Sequence, residues 1–335
     1  MSPTSSQLPL TVLAARLFST PAPADASLRA FWDRHRASTA DVPSPFDRAV
    51  IGGAGADRVA WAFLSGYQAA LCALLPSREP AQLAALCVTE SGGGHPRAIL
   101  AELRPEASGG YTLRGHKLWS TTVPDVDVLY VVAREGSDAA GRPRLRAAVI
   151  DAARTGVRFA PMPAPPFVPE LPHGQVYLES VPVAESDLLP GDAYARYVKP
   201  FRTVEDLHVN GALLGYLLGV ARRHAAPKSL VERLLGAIVC ARALALEDPG
   251  AGASHLALAG LLTTVRPLLE ELIAYLAGLA DPDAVAEHAR LLRDVALLGV
   301  AGKAREQRRL NAWAALETDP SAAPAVAGPP ETAGL

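Results

Sequence analysis

Two short segments carry most of the chemistry this chain can offer. The first, Cys87-Val88-Thr89-Glu90-Ser91-Gly92-Gly93-Gly94-His95-Pro96, is a β-run that breaks into glycines beside hydroxyl and acidic groups. The second, Gly115-His116-Lys117-Leu118-Trp119-Ser120-Thr121, is a β-run ending in a tryptophan followed by small hydroxyl residues. Together they supply an aromatic face, side-chain hydroxyls and glycine-exposed backbone N–H groups. A flat cofactor needs that combination, a ring to lie against and donors at its polar edge. Neither segment suffices alone; their order and spacing make the case.

A third segment, Arg48-Ala49-Val50-Ile51-Gly52-Gly53-Ala54-Gly55-Ala56-Asp57-Arg58, imitates a dinucleotide fingerprint. The third glycine of G-x-G-x-x-G would have to be Arg58, no acidic residue follows at the expected distance, and the chain continues as helix without a second strand. It is expected instead to mark a helix start, where glycines let helices approach closely. The eight histidines are scattered, with no H-E-x-x-H and no Cys/His cluster, so no catalytic metal is expected. Cys72, Cys87 and Cys240 lie far apart without a C-x-x-C, which suits a reducing cytosol and no structural zinc.

The bulk numbers set the frame for these segments. With 335 residues, 50% of them apolar, the chain can bury a large core in two or three packed units. A net charge of −2 and the lack of a basic stripe argue against a nucleic-acid partner. The longest apolar stretch, Gly211 to Val220, is too short to span a bilayer. Met1 to Pro9 lacks the basic-then-apolar build of a signal peptide. The expectation is a soluble cytoplasmic protein with no membrane contact.

Three zones must position the chemistry. Residues 1–82 read as an Ala-rich helical domain, whose clearest helix runs from Asp57 to Leu75 and ends at Pro76 and Pro80. Residues 83–195 switch to a period near two, with runs at Asp127–Ala133, Leu145–Ile150 and Gly174–Leu178 between Gly- and Pro-rich turns. That pattern implies an antiparallel β-barrel or sandwich. Residues 196–318 hold roughly four helices, Val204–His224, Ser229–Leu246, Ser254–Leu279 and Pro282–Leu316, with short breaks that favour antiparallel packing. Residues 319–335 are Pro/Ala/Gly-rich and read as a disordered tail.

The two β-segments, in this order and at this distance, resemble the flavin-contacting strands of the acyl-CoA dehydrogenase family, whose pattern is roughly T-E-P-x-x-G-S-D, then G-x-K-x-W-I-T/S. The zone order agrees with that family too. The resemblance implies an α+β fold with an N-terminal helical domain, a central β-barrel or sandwich and a C-terminal four-helix bundle. It further implies FAD, with Trp119 stacking on the ring, Thr89 and Thr121 offering hydroxyls to its polar edge, and Leu86 and Val88 lying along it. Gly94 and His95 fall at the family's G-S positions near the cofactor phosphates or the thioester, with His95 for the usual serine and Pro96 for the usual aspartate. A plainer reading makes Trp119 ordinary barrel core and the threonines strand residues.

The family's catalytic base is a glutamate that removes the α-proton of an acyl thioester. In the isovaleryl-type branch it lies six residues before the first glycine of a G-x-x-x-G-like stretch, where this chain has Glu205 before Gly211 and Gly215. In most other branches the base is the glutamate of a late Y-E-G-T motif, and here that position is Gly302. The two observations agree on Glu205. The bland alternative makes Thr203 an N-cap with Asp206 at N3, the two acids then serving as first-turn residues that complement the helix dipole and Asp206 a surface or capping acid.

Departures from the family lie further on. Its R-x-x-F-G motif is replaced by His224-Ala225-Ala226-Pro227, G-G-x-G-Y is missing, and Lys303-Ala304 stands for G-T. These pieces hold the nucleotide half of FAD. The resemblance thus implies an abbreviated enzyme of lipid metabolism that dehydrogenates an acyl-CoA or acyl-carrier thioester and passes electrons to an acceptor. The expected assembly is a homodimer or homotetramer, with a heteromer open. The alternative is a flavin-poor, non-catalytic subunit that scaffolds an active partner; other flavin chemistry, such as oxidation or hydroxylation with dioxygen, is a third. The Pro161–Pro172 loop is placed near the substrate mouth.

Overall fold

The computed structural model describes residues 6–75, 79–299 and 302–318. The 319–335 tail and the Pro76 stop signal lie outside the described residues. Four helices come first: α1 (Leu10–Ser19), α2 (Leu28–Thr39), α3 (Pro45–Ala54) and α4 (Val59–Leu74). Their starts follow local chemistry. Ser27 caps α2 by accepting from the Ala30 N–H, and Ser44 caps α3 by accepting from Asp47, with Pro45 at the first helical position.

Seven strands follow: β1 (Ala84–Cys87), β2 (Glu102–Pro105), β3 (Tyr111–Thr121), β4 (Val128–Ser137), β5 (Pro143–Asp151), β6 (Val157–Pro161) and β7 (His173–Val183). They form one connected sheet in the order β1-β4-β2-β3-β7-β6, with β5 also paired to β4. Most pairings are antiparallel, as the alternating pattern implies, while β1 and β2 join β4 in parallel.

A π-helical turn, Tyr194–Val198, runs directly into α5 (Lys199–Arg223), which is followed by α6 (Lys228–Leu244), α7 (Gly252–Ala277), α8 (Pro282–Asp294) and α9 (Gly302–Thr318). The fourth helix expected over Pro282–Leu316 is therefore two helices. A 3₁₀ turn, Val295–Gly299, interrupts it. Gly299 and Gly302 weaken helix continuation there. Buried Asp294 turns away to accept the Val168 N–H at 2.8 Å and to pair with Arg293. The same contacts anchor the Pro161–Pro172 loop, whose Val168 and Leu171 enter the helical core.

The glycines of the fingerprint-like segment lie in the last turn of α3 and just beyond it, not at a helix start. Their close-approach role holds. A Cβ on Gly53 would come within 1.9 Å of the Ala212 carbonyl oxygen, and one on Gly215 within 2.1 Å of the Val50 oxygen. Helices α3 and α5 thus pack backbone to backbone, which places α5 with little freedom. Among the described residues no helix is long and apolar enough to cross a membrane, and no His/Cys/Asp/Glu group could hold a metal ion.

Candidate active site

The site forms where α4, the start of α5 and the ends of β1 and β3 converge. Strand β1 pairs with β4 along one edge. Side chains of α4 satisfy backbone groups that β4 does not: Gln68 exchanges two hydrogen bonds with Ala84, and the Tyr67 hydroxyl accepts the Leu86 N–H at 3.0 Å. Unpaired strand groups of this kind are costly when buried, so α4 is docked firmly on β1. Cys87 faces the sheet core, while Leu86 and Val88 pack from the opposite face onto a cluster containing Tyr67 and Phe201.

The two chemistry-bearing segments are bonded to each other. Leu118 donates its N–H to the Thr89 carbonyl at 2.8 Å, which brings Thr89 beside the Trp119 end of β3. After Thr89 the chain turns tightly at Glu90–Gly93, with Gly93 at φ +95°, where a side chain would be strained. Gly94 then folds back over Val88 and Thr89. A Cβ placed on it would lie 3.7 Å from each of those side chains and 4.0 Å from Arg202 Nη2. His95 is exposed, and its Nδ1 accepts from the Arg97 N–H, a local cap for the short 3₁₀ turn Pro96–Ala98.

Trp119 is not barrel core. Its side chain is 49% exposed and its backbone adopts φ +56°, a sparsely populated conformation for a bulky residue. It sits where the β3–β7 register slips between Lys117 and Ser120. Such a bulge re-aims a side chain away from the sheet. Leu86, Val88, Thr89, Gly94 and Thr121 are all partly accessible. The Thr121 hydroxyl also meets that of buried Tyr67.

Glu205 lies in the second turn of α5, which begins at Lys199; Thr203 is therefore no N-cap. The Glu205 side chain is partly accessible, yet burial pushes its pKa up to about 8, with the neighbouring Asp206 charge adding and Arg202 opposing. No ion pair among the described residues holds its carboxylate. Burial raises the Tyr67 pKa, and the Glu205 charge adds to that rise. Asp206, expected as a surface or capping acid, is buried and paired with Arg305 and Arg308 of α9. Gly302 opens α9 and offers no carboxylate.

Two residues of this site escape a motif reading. Tyr67 sits mid-helix among apolar residues, and nothing in its spacing marks it. Arg202 had a signal: it precedes Glu205 by one helical turn, so both occupy one face of α5.

Residues 85–181 match the family model for the acyl-CoA dehydrogenase middle domain. Solved structures extend the likeness across the chain. Butyryl-CoA dehydrogenase from Megasphaera elsdenii is 13% identical with a TM-score of 0.60, over 91% of this chain and 89% of that one. FMN-bound TdsC from Paenibacillus sp. A11-2 is 18% identical with a TM-score of 0.66, over 91% and 96%. FkbI, which serves biosynthesis of the methoxymalonyl extender unit of the polyketide FK520, is 17% identical with a TM-score of 0.58, over 95% of both chains. No curated protein matches in sequence. With helices, sheet and helices in the order described, and with its middle domain matched directly, this chain is a divergent protein of the acyl-CoA dehydrogenase fold.

Proposed function

We propose that this protein is a flavoprotein that dehydrogenates an acyl thioester across its α,β carbons, with Glu205 as the base. The observation that carries the reading is an exposed Trp119 on a strained backbone next to Thr89, in a chain whose Glu205 is raised in pKa and has no ion-pair partner among the described residues. A bulky residue held in a sparsely populated backbone conformation marks a place that the surrounding structure over-determines, as binding sites do.

The residues fit a flavin ring. Trp119 offers a face, Leu86 and Val88 an apolar floor, and Thr89 and Thr121 hydroxyls along the edge. Bound there, a flavin supplies the acceptor for the β-hydride. Glu205 takes the α-proton, and the electron pair of that C–H bond becomes the α,β double bond. The burial that raises its pKa toward working pH makes its carboxylate a stronger base than a solvated one. Arg202 stands next to Gly94 and would supply positive charge to the thioester oxygen as negative charge develops.

The nucleotide half is less well provided for. The turn at His224–Pro227 closes on itself, with the Tyr275 hydroxyl donating to the His224 and Ala225 carbonyls at 2.8 and 3.1 Å. That turn favours a second reading, a flavin-poor subunit that scaffolds an active partner. Absorbance of the purified protein after incubation with FAD or FMN separates the two. Resolved, shifted flavin bands support the enzyme; a protein that binds neither flavin supports the scaffold.

A further inference from the structure

The acid beside the candidate base is tied to the C-terminal helix. Asp206 is only 7% exposed, and one carboxylate oxygen accepts from Arg305 Nη1 at 3.0 Å while the other accepts from Arg308. Both arginines come from α9, about 100 residues away in sequence, and lie one helical turn apart so that both face α5. A buried carboxylate without such partners would take up a proton instead of staying charged. Burial indeed raises the Asp206 pKa, and the two arginines oppose that rise.

We propose that Asp206 is a positioning residue for Glu205, held charged by Arg305 and Arg308, so that these two α9 side chains reaching across to α5 set the charge standing beside the base. This rests on the reading of Glu205 as the base. The groups facing the two acids are few. Tyr67 approaches Glu205 from α4, and Arg202 from its own helix. Arg305 and Arg308 face Asp206 from α9, and His255 of α7 lies within the field of Arg308 and in contact with Thr203. Of these, Asp206 is the one that adds negative charge next to Glu205; Arg202 works against it. The arginines of α9 therefore act on the base through Asp206. When they are in place the charge at 206 persists and Glu205 keeps its proton to higher pH. When they are removed nothing opposes the burial that raises the Asp206 pKa, and the charge at 206 is weakened.

The test is the titration of Glu205 itself, read by carbon NMR on side-chain-labelled full-length protein and assigned by the signal lost in Glu205→Gln. It needs neither flavin nor turnover, so it stands apart from whether the protein is a dehydrogenase. Asp206→Asn is expected to move the Glu205 inflection to lower pH, and Asp206→Glu, which keeps the charge, to restore it. Arg305→Gln with Arg308→Gln is expected to lower it as well, and to change little when combined with Asp206→Asn. The arginine variants decide the matter if Asp206→Asn alone does not fold. A Glu205 inflection unmoved by Asp206→Asn, or moved equally by Asp206→Glu, overturns the proposal. So does an arginine effect of full size in the Asp206→Asn background.

Discussion

Lys117 Nζ lies 2.6 Å from Glu90 Oε1, with the lysine side chain fully buried and the glutamate nearly so. The pair joins the two segments that carry the site. Glu90 also accepts the Leu100 and Ala101 N–H groups at 2.8 and 3.0 Å, and Lys117 donates to the Val132 carbonyl at 2.6 Å. The cluster fixes the glycine turn after β1 against β3, one residue from Thr89 and two from Trp119. Burial lowers the Lys117 pKa, and Glu90 offsets part of that.

Removing one partner leaves the other charge buried and alone. Lys117→Ala is therefore expected to destabilise the protein by about 3–5 kcal/mol in denaturant unfolding. The double variant Glu90→Gln, Lys117→Met should cost clearly less than Lys117→Ala. A Lys117→Ala protein as stable as wild type would show that the pair is not what holds the two strands together.

Trp119→Gly should separate strain from function. Glycine adopts φ +56° freely, and that relief offsets part of the packing lost with the half-buried ring, so the melting temperature is expected to fall by only a few degrees. Flavin binding is expected to weaken by up to about tenfold, the worth of one aromatic contact. A folded variant that binds flavin as tightly as wild type would remove Trp119 from the site.

Close helix contact should be intolerant of a single methyl group. Gly53→Ala and Gly215→Ala are each expected to destabilise by roughly 1–3 kcal/mol, because the added Cβ would meet backbone rather than a movable side chain. Thermal melts check this. Gly236→Ala, on α6 where nothing lies within 4 Å of the added atom, should be neutral or stabilising.

Glu205 gives a pH-dependent stability with a definite sign. Its folded pKa of about 8 lies above the ordinary carboxylate value, so the folded state binds the proton more tightly than the unfolded chain. Its contribution is full at low pH and is lost as pH rises through about 8. Glu205→Gln removes that loss. The variant should match wild type near pH 5 and become the more stable protein by pH 9, by an amount on the order of 1–3 kcal/mol. Urea unfolding at both pH values decides it; a constant difference would mean Glu205 is an ordinary solvated acid.

What the sequence made legible followed from local pattern. The strand and helix zones appear as a change of period, and Trp119, Thr89 and Glu205 stand out because their motifs are contiguous. The structure bonds the Thr89 and Trp119 segments to each other, while the surroundings of the site are built by partners that no short motif records. Tyr67 reaches the site because α4 docks on β1 through Gln68 and its own hydroxyl, a tertiary event. Asp206 looked like a surface acid because its arginines are about 100 residues away, across a break between α8 and α9 that the continuous polar–apolar pattern concealed. Long-range charge pairing leaves no periodic trace in a single chain.

If Glu205 abstracts a proton from an acyl thioester at a flavin site lined by Trp119, its loss must slow flavin reduction without releasing the flavin. The most direct measurement is anaerobic mixing of the flavin-loaded protein with a panel of acyl-CoA thioesters, following loss of flavin absorbance in wild type and in Glu205→Gln. Wild type should bleach with at least one thioester, and Glu205→Gln should bleach about 10²–10⁴-fold more slowly while still binding flavin. Equal bleaching in the two proteins, or none in wild type with flavin bound, would contradict the account.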